Sequence, residues 1–334
     1  MSESHQLTDH KLSDGRWSPF EILFWLLPIA AYFLFPGYLV LITQIMIVGL
    51  FALSLDLILG YAGIVSLGHA AFFGLGAYTA GLLAVHGWSE PISGLLAAAV
   101  VAGAFGYVCS FLVVRGTDLT RLMVTLGIGL MLFEAANKAA FITGGVDGLS
   151  GMAMSNLLGA FEFDLFGKTA YVYALTVLFM LFAVLRRLLQ SPFGLSLTGI
   201  REGGRRMPAI GVNVNRRLAA IFTISAAVAG IAGALLAQTT QFVGLESLSF
   251  SRSADLLIIL VLGGTGRLYG ALIGAAVFML ARDYIAGLNP AYWQFWIGLL
   301  LVVIVLFARG GILGGIDKLH QAWVRSNDAR RRPL

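Results

Sequence analysis

Acidic and basic residues together make up only 12% of this 334-residue sequence, about half the roughly 25% usual in soluble domains. So little charge, beside 58% hydrophobic residues, excludes a disordered chain and a dedicated nucleic-acid-binding domain. Cysteine occurs once, at Cys109, so neither a disulfide framework nor a CxxC metal site can be built. Five histidines are present and only His69 falls deep in an apolar region. HExxH, GxSxG and carboxylates paired at helical spacing are all missing, so an intramembrane hydrolase lacks its residues, and no catalytic or metal-ligating set is assigned. Gly167-Lys168-Thr169 ends like a phosphate-binding loop, but the glycine that such a loop needs five residues earlier is Glu162. The chain has no ATPase motif of its own.

Long apolar runs are what the sequence does have. Mean hydropathy is +0.87, and windows of about 20 apolar residues, enough to cross roughly 30 Å of hydrocarbon, fill the chain from Phe20 to Ala308. The expected fold is all-α and polytopic, with eight to ten transmembrane helices. The best division is 20–36, 38–59, 63–86, 91–114, 118–142, 170–187, 218–237, 254–266, 268–285 and 292–308, and the window 254–266 is short for a span. The polar opening, with Glu3, Asp9, Lys11, Asp14 and Arg16, does not read as a cleaved secretory signal.

Positive charge orients this division, because loops that remain in the cytoplasm keep Lys and Arg. Ten crossings with both termini cytoplasmic place 18 of the 22 basic residues inside and leave only Lys138, Lys168, Arg252 and Arg282 on or near the other side. The pI near 9.5 is then mainly an orientation signal, and Arg330 to Arg332 read as a headgroup-facing tail. The chain divides into a cytoplasmic tail (1–19), a transmembrane domain (20–308) and a basic cytoplasmic tail (309–334). Two long loops lie on opposite faces. The outer loop, 143–169, sets Asp147, Glu162 and Asp164 against Lys168; the inner loop, 188–217, sets five arginines against Glu202. Connections of that length are long between spans and imply structure and partners of their own. Asp147, Glu162 and Asp164 are the candidates for docking an extracytoplasmic partner.

Glycine is abundant, with 41 copies, clustered around Gly60, Gly63 and Gly68 and again around Gly263, Gly264 and Gly266. Small residues let helices approach closely in lipid. Glycine-broken helices in the two halves of a transporter also mark its pathway, since irregular backbone is tolerated at depth only where it lines a cavity or is buried in protein. Both readings stand, for different glycines. Ionisable residues inside spans call for partners. Glu134 and Lys138, four apart, are expected to pair on one helix face, whereas Asp56 has no local partner and fits a snorkelling, capping or pathway role. His69 reads as an interhelical hydrogen-bonding residue or a proton relay. The candidate pathway set is Asp56, Gly63, Ser66, Gly68, His69, Gly263, Gly264 and Gly266.

The run from Ala52 to Tyr78, which contains Leu-Gly60-Tyr-Ala-Gly63 and Ser66-Leu-Gly-His69, resembles the M-type permease of the branched-chain amino acid ABC importers, the high-affinity leucine, isoleucine and valine family. Thr143-Gly-Gly-Val-Asp-Gly-Leu149 is similar to that subfamily's outer-loop motif. Ser191-Pro-Phe-Gly194, Ile200-Arg-Glu202 and Ala209-Ile-Gly-Val212 are similar to its cytoplasmic coupling loop, and Leu262 to Gly274 to its second glycine-rich segment. The resemblance covers about residues 20 to 315.

The resemblance implies a subunit that pairs with a second permease, binds two cytoplasmic ATPases that carry the ATP and Mg, and receives substrate from an extracytoplasmic binding protein. It implies a multi-pass protein of a bacterial or archaeal cytoplasmic membrane, with no cofactor on this chain and no nucleic-acid partner. Arg201, Glu202 and Gly211 would form the ATPase-coupling element: a short helix with Glu202 near its start, where the helix dipole favours a carboxylate, and Gly211 at its end. Two positions depart from the family. Asp56 stands where members often carry Asn, and Arg205-Arg-Met-Pro208 replaces an Ala-rich stretch, so Pro208 predicts a short or kinked helix. Relatives of this type carry branched-chain amino acids, urea, amides or aromatic acids. An ion-coupled secondary transporter is the alternative class; it predicts more intramembrane charge and no dedicated inner loop.

Overall fold

A computed structural model of the chain describes residues 19–156, 161, 162, 164 and 167–288, with isolated positions from 292 to 311. Eleven α-helices are found among these residues: α1 Pro19–Leu34, α2 Leu39–Asp56, α3 Ala70–Val85, α4 Pro91–Val113, α5 Asp118–Lys138, α6 Ala140–Thr143, α7 Lys168–Gln190, α8 Pro192–Gly203, α9 Val214–Thr240, α10 Phe250–Gly263 and α11 Leu268–Leu288. No strand occurs among them; Leu149 and Val243 form an isolated antiparallel bridge. Nearly all of both tails and most of the 292–308 window lie outside the described residues.

Local chemistry sets the helix ends. Pro91 and Pro192 occupy first turns, where a missing N–H costs nothing. Ser191, Asn213 and Ser249 cap α8, α9 and α10 through side-chain oxygens that accept backbone N–H groups. Six segments are long and apolar enough to cross a membrane: Pro36–Tyr61, Pro91–Val113, Asp118–Lys138, Lys168–Gln190, Val214–Thr240 and Leu268–Leu288. Their outward faces carry Leu96, Val100, Leu112 and Met131, each at least 60% exposed, as a lipid-facing surface requires.

Two departures from the expected spans concern the short helices. The window 63–86 is not one helix. A π-helical turn, Leu57–Tyr61, ends α2, residues 62–69 run irregularly, and α3 covers only 16 residues. Helix α10 has 14 residues, about 21 Å at 1.5 Å per residue, so like α3 it falls short of the hydrocarbon thickness. Each of these short helices adjoins a glycine-rich break.

Consecutive helices place the connection 62–69, the loop 188–217 and the turn 264–267 at one end of the bundle, here termed the basic end. The connections around 86–90, 139–167 and 241–249 lie at the other, acidic end. Contacts distant in sequence agree: Leu149 pairs with Val243, and the Ser155 amide donates to the Ser89 carbonyl at 3.1 Å.

Helices α3, α4 and α9 form the tightest layer. A Cβ on Gly76 would collide with the Gly230 carbonyl, and one on Gly233 with the Phe73 carbonyl. These are backbone approaches that only small residues permit, and in lipid such packing replaces the hydrophobic effect as the force between helices.

Candidate functional site

The two glycine-rich breaks, about 200 residues apart in sequence, meet at the basic end. Asp56 ends α2 fully buried, and its Oδ1 accepts the Gly266 N–H at 2.7 Å. Arg201, from the last turn of α8, reaches across to the same place, and its Nη1 donates to the Gly60 carbonyl. A side chain on Gly60 would overlap the Asp56 carboxylate and the Gly266 amide. Gly266 sits at φ +79° and Gly63 at φ +73°, a left-handed backbone that a side chain would strain. Asp56, Gly60, Gly266 and Arg201 therefore form a four-membered clamp.

Asp56 Oδ2 has no hydrogen-bond partner among the described residues, but the Arg201 charge acts on the carboxylate. Full burial removes the snorkelling role for Asp56, whose partner is an amide from the other half of the chain. The irregular backbone of 62–69 stays inside the protein: Ile64 and Ser66 are completely buried, as irregular backbone at membrane depth must be.

A second polar cluster lies deeper. His69 is buried, and its Nε2 lies 2.9 Å from Ser54 Oγ on α2 and 3.5 Å from Ser225 Oγ on α9. Ser54 Oγ already donates to the Phe51 carbonyl at 2.6 Å, and Ser225 Oγ donates to the Ser54 carbonyl. The Nε2–H is therefore the donor to Ser54, and Nδ1 is left without a partner among the described residues. The imidazole stacks on Phe51 at 5.8 Å and meets Phe72 edge-on at 5.6 Å. The geometry is that of an interhelical hydrogen bond; each such bond contributes about 0.6 kcal/mol in a membrane, rarely more than about 1.7.

The remaining pathway candidates divide. Gly68 passes so close to the Thr125 carbonyl on α5 that a Cβ would collide with it, while Thr125 Oγ1 accepts the Leu67 N–H at 3.2 Å. Ser66 Oγ is buried without a partner among the described residues. Gly263 packs against the Gly270 carbonyl, and Gly264, at φ +101°, ends α10. Gly63, Gly264 and Gly266 thus shape turns, while Gly68 and Gly263 serve close packing.

The sequence matches, over residues 37–305, the family described as the permease component of the branched-chain amino acid transport system. The chain belongs to that family. It is 30% identical over 297 residues to the high-affinity branched-chain amino acid transport system permease protein LivM of Escherichia coli K12, covering 81% of this chain and 68% of the relative. LivH of the same organism is 25% identical over 287 residues, covering 79% of this chain and 90% of that one. The autoinducer 2 import system permease protein LsrC of an Enterobacter species is 30% identical over 264 residues, covering 75% of this chain and 72% of that one. No solved structure matches.

In the permease, the inner loop is not one helix closed by glycine. Helix α8 ends at Gly203, and a separate 3-10 turn, Met207–Ile210, carries Pro208 in its first turn and is terminated by Gly211 at φ +82°. Pro208 supplies no backbone donor, so the chain restarts there. Glu202 lies in the last turn of α8, not near its start, where the helix dipole disfavours a carboxylate. Glu202 and Gly211 are exposed, as are Ile210 (71%), inside the quoted motif, and Leu195 (58%), which the sequence reading did not name.

At the acidic end, Asp147 and Glu162 are exposed. Asp164 is half-buried, and its Oδ1 accepts the Thr169 N–H at 3.2 Å in the first turn of α7. The pair expected between Glu134 and Lys138 is absent from the ion pairs of the described residues; both side chains face outward. A different pair ties the bundle: Arg186, 8% exposed, lies 2.9 Å from Glu21 of α1. Glu21, an acid one residue inside the first apolar window, was the signal for it.

Proposed function

We propose that the chain is the membrane-spanning permease of an ATP-driven, binding-protein-dependent importer of branched-chain or related amino acids in a bacterial cytoplasmic membrane. In this reading it pairs with a second permease, and two ATPase subunits hydrolyse ATP on its behalf. The observation that carries the proposal is the Arg201 bridge. A residue of the basic loop donates to one glycine break and lies beside the other, where Asp56 joins the two, and this offers the mechanical link that a transporter driven by an external motor requires. Exposed Leu195, Glu202, Ile210 and Gly211 supply the surface on which the ATPase would sit, and exposed Asp147 and Glu162 the face toward the binding protein.

The mechanism follows from the clamp. Movement of α8 by the closing ATPases would shift the Arg201 guanidinium relative to Gly60 and change how tightly the two breaks are held together. The inner end would open or close without either helix unfolding. The test is reconstitution in vesicles with the partner permease, the ATPases and the binding protein. ATP-dependent accumulation of L-leucine is expected with the full set, and neither accumulation nor ATP hydrolysis with this chain alone. Leucine uptake that needs no ATPase subunit would overturn the reading.

A further inference from the structure

An unassigned cavity of about 340 Å³ opens between α2, α10 and α11, within the size range of small-ligand sites. Its chemistry is divided by depth. Near the acidic end it is lined by Glu246, Arg252, Asp255, Arg282 and Asp283. One to three helical turns further in, Ile47, Phe51, Phe73, Ile259 and Phe278 take over. From Arg252 to Ile259 the helix rises about 10 Å, so a ligand here meets charges of both signs at its head and an aliphatic and aromatic wall below.

The charged rim is incompletely satisfied. Arg252 Nε is buried without a hydrogen-bond partner among the described residues, and its Nη2 comes only within 3.9 Å of Glu246. Asp255 lies within electrostatic reach of both Arg252 and Arg282. At the inner end Phe51 and Phe73 pack with ring centroids 4.4 Å apart, and Phe51 rests on His69. This floor separates the cavity from the layer of broken helices.

We infer that this cavity holds the amino acid zwitterion as it enters the permease, with the α-carboxylate on Arg252, the α-ammonium on Asp255, and the aliphatic side chain directed toward Phe51 and Phe73. An apolar anion, or the amide of the amino acid with only its ammonium, would satisfy one half of such a rim, and a neutral amide neither. The inference rests on the import reading for its substrate class, but binding and uptake are read separately.

The assembled complex, with Cys109→Ser and a single cysteine at Met279→Cys or Val48→Cys, is treated with a small thiol reagent without the binding protein. Millimolar L-leucine is expected to slow labelling, while L-leucinamide, 4-methylpentanoate and urea are not. Adding Arg252→Gln should raise the half-protecting leucine concentration at least about tenfold, the effect of losing one charged hydrogen bond. Equal protection by 4-methylpentanoate, no protection by leucine, or no labelling at either cysteine would each overturn the site. Leucine uptake by the same complexes, measured with the binding protein present, reports on the import reading alone.

Discussion

The Arg201 guanidinium on α8 donates a hydrogen bond to the carbonyl of Gly60, joining a loop helix to the break that follows α2. Gly60 can occupy that position only because it has no side chain, since the Asp56 carboxylate and the Gly266 amide fill the space beside it. A charged donor from outside the spans therefore meets the point where two broken helices touch.

Removing that donor should uncouple the transporter without dismantling it. Arg201→Ala is expected to leave the complex assembled and hydrolysing ATP while uptake per ATP falls about tenfold or more, as loss of a charged hydrogen bond of about 1.5–3 kcal/mol implies. Gly60→Ala should reduce uptake through collision with Asp56. Transport and hydrolysis rates measured on the same vesicles check both; an unchanged ratio in Arg201→Ala would dismiss the clamp as a transmission element.

Orientation can be read with an impermeant thiol reagent in a Cys109→Ser background. Ala153 and Ala209 are exposed and lie in the acidic-end and basic-end loops. Ala153→Cys is expected to label in intact cells or spheroplasts, and Ala209→Cys only after the membrane is opened. Labelling of Ala209→Cys in sealed cells would reverse the topology that the charge distribution predicts.

The Glu21–Arg186 pair should matter for stability more than for transport. Taking away one partner of a buried pair costs up to about 3–5 kcal/mol, because it strands the other charge. Glu21→Ala is expected to lower the thermal midpoint of the purified protein in detergent, and Glu21→Ala combined with Arg186→Met to recover part of it. Equal midpoints for wild type and Glu21→Ala would show the pair to be dispensable.

Two glycines should fail in different ways. Gly233 lies where a Cβ would strike the Phe73 carbonyl in the α3–α9 contact, so Gly233→Val is expected to reduce the amount of folded protein in the membrane. Gly211 has open space around it, and a side chain there meets only the strain of φ +82°, about 1–2 kcal/mol. Gly211→Val is therefore expected to insert at normal abundance but to lose uptake and retain the ATPase poorly on co-purification. Normal uptake at matched membrane levels would count against a coupling role for that turn.

What the sequence determined by itself was whatever depends on neighbouring residues. Apolar length marked the helices, uneven Lys and Arg separated the basic loop from the acidic one, and Gly211 could be read as a helix-ending turn because a left-handed backbone is a property of one residue. The split of the inner loop at Pro208 was legible for the same reason. Tertiary structure alone decided the partners. The amide that Asp56 binds lies 210 residues away, the carbonyl that Arg201 binds 141, and the Ser225 hydroxyl beside His69 156. Such pairs obey no local period; they exist because close packing through small residues fixes which helices touch and at what height. The charged rim of the cavity likewise combines Glu246, Arg252 and Asp255 with Arg282 and Asp283 from a different helix, and only the fold brings them around one space.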